Sequence, residues 1–117
     1  MARFILTLMF GVLFNYHVYA TTPTVALTTT ANSTISVTNT FQQVLAQNTL
    51  RASCLIQNTG SHVEYVFFGA IANATTSNAY VIQAGQTISC SVNSGIVLGD
   101  QVSITGTSGD GYIVTNQ

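Results

Sequence analysis

The chain has 117 residues, room for one domain, and charge is sparse: two Lys plus Arg, three Asp plus Glu, and no lysine at all. Proteins that bind nucleic acid neutralise phosphates with several Lys or Arg. Beyond residue 20 this chain has only Arg51, which excludes nucleic acid and argues against an anionic membrane surface.

Residues 1–20 differ from the rest. Arg3 gives a positive start, and residues 4–14 form an apolar run broken only by Thr7 and Gly11. A more polar stretch then ends in Val18-Tyr19-Ala20. This is the pattern of a secretory signal peptide, with cleavage predicted between Ala20 and Thr21. The run is too short for a membrane span, which takes roughly 20 residues. Export is therefore expected, to a periplasmic, extracellular or virion-associated location, with a flexible segment over 21–33 and one folded domain over 34–117. Low charge and many β-branched residues argue against disorder of the whole chain.

No segment after residue 20 keeps a helical period, whereas β-branched and aromatic runs parted by turn residues are the signature of strands. Residues 25–30 and 34–38 read as Thr-rich extended segments separated by Ala31-Asn32-Ser33. Residues 41–46 follow, then a Gln47-Asn48-Thr49 turn and a strand over 50–57, with Ala52, Cys54 and Ile56 on one face. Asn58-Thr59-Gly60-Ser61 is predicted to close a hairpin. Residues 63–70 carry apolar side chains on both faces, as a central strand does. After a small-residue loop over 71–78, strands at 79–83 and 86–92 flank an Ala84-Gly85 turn, with Ile88, Cys90 and Val92 on one face. Asn93-Ser94-Gly95 and Gly99-Asp100 flank residues 96–98. A strand at 101–105, with Val102 and Ile104 inward, is predicted to form a hairpin with 112–115 through Ser108-Gly109-Asp110-Gly111. About seven or eight short strands, with no connection long enough for a crossover helix, make an all-β antiparallel sandwich or small barrel.

Reactive groups are few. His62 and Glu64 would share a strand face and could in principle move a proton, but no nucleophile is placed with them. The plainer reading is an exposed turn histidine beside an exposed glutamate. Asp100 and Asp110 fall in turns, where Asp commonly bonds its own backbone. No nucleophile elbow, P-loop or zincin motif occurs, and neither a metal site nor a cofactor is expected. Cys54 and Cys90, an even pair in an exported chain, predict a disulfide; two buried free thiols are the alternative. Two N-x-S/T sequons, at Asn32 and Asn73, occur in a chain rich in these residue types. Phe41, Tyr65, Phe67, Phe68, Tyr80 and Tyr112 read as packing residues rather than a carbohydrate platform.

From residue 37 on, the order of motifs resembles a known group. Asn48-Thr49-Leu50-Arg51 puts an arginine at a strand start. Leu55-Ile56-Gln57-Asn58-Thr59-Gly60 runs from strand to turn. Residues 63–69 read V-x-Y-V-x-F-G, Ile82-Gln83-Ala84-Gly85-Gln86 is an A-G turn, and Gly106-Thr107-Ser108-Gly109 precedes the last strand. This succession is similar to small β-sandwich virion proteins of bacteriophages and prophages: capsid decoration, head-fibre or tail-associated components. The resemblance implies structural roles for Arg51 and Gln57 and turn or bulge geometry at Gly69 and Gly85. Gly60, Gly109 and Gly111 are turn positions by their sequence. It implies no catalytic residue. The leader and both cysteines are departures from that group.

The first reading is thus a non-enzymatic structural or interaction module, with itself or other proteins as partners, whose sheet edges lack the charge and proline that block pairing. A monomeric ligand- or glycan-binding module is the alternative and predicts clustered, exposed Tyr65, Tyr80 and Tyr112. A small hydrolase using His62 and Glu64 is the third.

Overall fold

A computed structural model describes residues 29–90 and 99–117. The signal peptide with its Ala20–Thr21 cut, residues 21–28, and the expected strand features over 91–98 lie outside the described residues.

The described residues form β1 (Thr29–Thr34), β2 (Gln42–Leu45), β3 (Cys54–Asn58), β4 (Glu64–Phe68), β5 (Tyr80–Ile82), β6 (Thr87–Cys90), β7 (Val102–Thr105) and β8 (Gly111–Asn116), with one 3-10 turn at Ile71–Asn73. Alternation decides the faces. In β3, Cys54, Ile56 and Asn58 are buried while Leu55 is exposed. In β4, Glu64 and Val66 are buried. Val102 and Ile104 of β7 also point inward, and with Ile56 and Val66 they form the centre of the core. Each such side chain contributes roughly 1.5–3 kcal/mol by leaving water.

Two four-stranded antiparallel sheets enclose this core, in the orders β1-β8-β3-β6 and β2-β7-β4-β5. The pairs β1·β8, β2·β7, β3·β6 and β4·β5 are those of one long antiparallel ribbon. The pairs β3·β8 and β4·β7 close the rolled ribbon into two sheets. This is a jelly roll, the double-sheet solution to packing eight antiparallel strands.

The topology corrects both expected hairpins. β3 and β4 lie in different sheets, as do β7 and β8. The turns at Asn58-Thr59-Gly60-Ser61 and Ser108-Gly109-Asp110-Gly111 are therefore arches that carry the chain across the sandwich. The Ala84-Gly85 turn crosses between sheets in the same way. Turn residues supply tight reversals, and Gly85 (φ 77°) and Gly109 (φ 91°) occupy the left-handed region that favours glycine. Whether the following strand pairs with its predecessor or faces it is decided by longer-range partners.

The break expected at Ala31-Asn32-Ser33 is absent. These residues pair in unbroken register with Val114, Ile113 and Tyr112 of β8. The segment 21–33, expected to be flexible, is thus strand from Thr29 onward. A Thr-rich run with no proline meets the open side of β8 and completes its ladder.

Cys54 and Cys90 face each other across β3 and β6, with Cα atoms 4.9 Å apart, and form a disulfide on the core side. It staples an edge strand, β6, to the interior of its sheet.

Candidate functional site

All the arches β1–β2, β3–β4, β5–β6 and β7–β8 lie at one end of the roll, as the strand order and antiparallel registers require. That end gathers Asn58, Ser61, His62, Glu64 and Asp110 among the described residues. Fully buried Asn58 is its hub: its Nδ2 donates to the carbonyls of His62 (2.7 Å) and Ile82 (3.1 Å), and its Oδ1 accepts from Gly60 N–H (2.8 Å). Its backbone N–H and C=O bond to Gln86 and Gly85. One asparagine thus fastens the β3–β4 arch to the β5–β6 arch. Gln42 does the same for the β1–β2 arch, donating to Tyr112 Oη (2.8 Å) and Thr34 C=O (2.9 Å) and accepting from Ser36 N–H.

Asp110 is buried and does not bond its own turn through its side chain as expected; its carboxylate reaches the β3–β4 arch instead. Oδ1 accepts from Ser61 N–H (3.3 Å), and Oδ2 lies 2.9 Å from His62 Nδ1. Burial opposes ionisation of Asp110, but the Ser61 N–H and His62 outweigh it and hold its pKa below the usual carboxylate value. His62 is therefore paired with Asp110, 48 residues away.

Glu64 is not the exposed neighbour of His62 that the sequence implies. It faces the core with Val66, at 0% exposure, and neither carboxyl oxygen has a hydrogen-bond partner among the described residues. A Cβ on Gly106 would stand 3.1 Å from its Cγ, so the carboxyl stem lies directly against the β7–β8 arch. Burial, and next the charge of Asp110, raise its pKa to about 7.

Ser61, His62 and Asp110 have the residue types of a hydrolytic triad but not its wiring. Ser61 Oγ lies 3.2 Å from His62 Nδ1, the same nitrogen that faces Asp110. A serine nucleophile needs the other ring nitrogen free to take its proton while the acid holds the first. Ser61 Oγ also leans toward Asp110 Oδ1 at 3.5 Å. The cluster as built locks two arches together. Among the described residues no three His, Cys, Asp or Glu side chains gather as a metal site.

Searches of protein-family models, curated proteins and solved structures find no match to this chain.

The three tyrosines of the glycan-binding reading do not form one platform. Tyr112 is buried under Gln42. Tyr65 lies opposite Val81, on the outer face, whereas Tyr80 has the inward parity of Val66 and packs edge-on against Phe68. Arg51 lies at the other end of the roll, buried, its guanidinium donating to the carbonyls of Asp100 (2.7 Å) and Ala46 (2.5 Å). Gln57 is half-buried on β3, and Gly69 (φ 133°) ends β4. Asn32 and Asn73 of the two sequons are both exposed.

The charge of the folded region is spent inside. Arg51, Glu64 and Asp110 are buried and Asp100 is half-buried. The sequence reads Glu64 as exposed and Asp110 as a turn residue bonded to its own backbone, and the structure buries both. The inward parity of Glu64 with Val66 and Phe68 was the available signal; nothing in the sequence connects Asp110 to His62.

Proposed function

We propose that this protein is an exported, non-enzymatic structural module that self-associates or decorates a larger assembly, like the small phage virion proteins it resembles. One observation carries the reading: the roll turns an almost charge-free surface of Thr, Ser, Asn and Gln outward, because its charges are used in the interior. Surface charge is what ordinarily keeps small domains apart and blunts their sheet edges. The Cys54–Cys90 disulfide supports export, since such bonds persist in oxidising compartments. Among the described residues no helix is long and apolar enough to cross a membrane. The wiring of Ser61 and His62 gives no support to hydrolysis.

Sedimentation velocity on residues 21–117, which contain every described strand, tests this. Concentration-dependent association is expected, and it should respond only weakly to salt, because the Arg, Asp and Glu side chains of the described residues are buried or half-buried and leave few exposed charges to be screened. A species that stays monomeric at every concentration and salt would oppose self-association.

A further inference from the structure

The sheet edges are not equivalent. β2 is interrupted by a register shift between Gln43 and Leu45, and β5 is only three residues long. Bulges and short length are two of the ways in which proteins blunt an edge. β6 is tied to β3 by its disulfide, and the chain after Cys90 lies outside the described residues. β1 has none of these devices. It is six residues long, TTANST, exposed throughout, free of charge and proline, and in continuous register with β8.

The hydrogen bonds fix which of its groups look outward. Gln117 exchanges bonds with Ser53 of the β3 side, and Ile35 N–H donates to Asp110 C=O. Alternation along an antiparallel ladder then turns the backbone of Thr29, Ala31 and Ser33 toward β8, and that of Thr30, Asn32 and Thr34 toward the open side. The Thr34 carbonyl already accepts from Gln42. Thr30 and Asn32 keep N–H and C=O groups that point outward and meet no partner among the described residues.

We propose that β1 is a self-recognition edge, and that its occupant is β1 of a second copy, antiparallel about a two-fold axis at Ala31. This inference rests on the self-association reading and names its surface. In that register Thr30 of each copy pairs with Asn32 of the other, so all the outward groups of both residues are satisfied reciprocally. Ala31 meets its own symmetry mate at a non-hydrogen-bonded position, where strands approach most closely and a small side chain fits. On the outer face Thr30 lies beside the partner's Asn32, a polar cross-strand pair. No charge on either strand opposes the contact. The β1-β8-β3-β6 sheet of each copy becomes half of a continuous sheet.

Variants of residues 21–117 test the edge. The two-fold sets paired Ala31 Cα atoms at about 4.5 Å, within the reach of a disulfide. Ala31→Cys should therefore yield a covalent dimer on a non-reducing gel under mild oxidation. Thr30→Pro removes an outward N–H, together with the exposed hydroxyl contact between Thr30 and Thr115, and Asn32→Lys puts like charges together. Each should raise the concentration for half-association by about tenfold or more while leaving the thermal melt of the monomer unchanged. Val81→Lys, on β5, should not alter association. If the unaltered protein associates, but Asn32→Lys associates equally well and Ala31→Cys does not cross-link, β1 is not the edge, and self-association proceeds elsewhere. If the unaltered protein never associates, this inference falls with the reading it rests on.

Discussion

Gly60 packs directly on Asp110: a Cβ placed on Gly60 would stand 2.5 Å from Asp110 Cβ and 2.7 Å from its Cγ. The contact joins the arch that leaves β3 to the arch that enters β8, and it brings Ser61 N–H onto the Asp110 carboxylate. The obstruction is at the base of the Asp110 side chain, which cannot swing aside while it also holds His62. Gly60→Ala should therefore cost about 1–3 kcal/mol, as overpacking does, read as a shift of the urea midpoint without a change of slope. Unchanged stability would mean that the arches are not clamped here.

Asn58 is the second clamp. It is fully buried; its side chain ties the β3–β4 arch to the end of β5, and its backbone bonds Gly85 and Gln86 of the β5–β6 arch. Asn58→Ala leaves Gly60 N–H and two carbonyls without their partner, which should cost roughly 2–4 kcal/mol. Hydrogen exchange should show amides of both the 59–63 and 83–86 arches losing protection together. Loss confined to one arch would contradict the hub role.

Glu64 sets a pH dependence. Its pKa rises from 4.5 to about 7 through burial and the nearby Asp110. Between these values the folded chain keeps a proton that the unfolded chain has released. Stability therefore falls as pH rises through that window, and it stays lower above it. Asp110 has the opposite sign: held below its ordinary value of 3.8, it stabilises above that pH and is lost only in acid. Unfolding free energies from urea titrations near pH 5 and near pH 8 should differ by on the order of 2 kcal/mol in the native chain. Glu64→Gln keeps the shape, removes the charge, and should abolish most of that difference. The same pH profile in both proteins would show that Glu64 is not the titrating group.

The Cys54–Cys90 bond closes a separation of 36 residues. Loop-closure entropy assigns it roughly 3–4 kcal/mol. The double change Cys54→Ala, Cys90→Ala should lower stability by about that amount and free β6 first, seen as faster exchange at Thr87–Cys90. Because β6 is an edge strand with one neighbour, a uniform loss across the roll would argue against local release.

Local patterning made the strands legible. The alternation in β3, the inward Val102 and Ile104, and the facing of the two cysteines can all be read from neighbours two residues apart. Which sheet each strand joins could not be read that way. Asn58 to Ser61 and Ser108 to Gly111 have the chemistry of a tight reversal, and a hairpin and an arch use the same residues. The choice rests on partners such as β8 for β1, more than seventy residues away in sequence. The functional end was hidden for the same reason: His62 and Asp110 meet only because two arches cross at one end of the roll. The burial of Glu64, by contrast, agrees with its parity with Val66, while the ordinary preference of a carboxylate for water points the other way.

The most direct measurement is the mass of residues 21–117 in solution, by light scattering on a non-reducing sizing column over a wide range of loading concentrations. The mass should climb from the monomer toward a dimer or larger assembly as concentration rises, and an Asn32→Lys variant should lag behind it. A mass fixed at one chain throughout would contradict self-association and leave a subunit that requires a different protein as its partner.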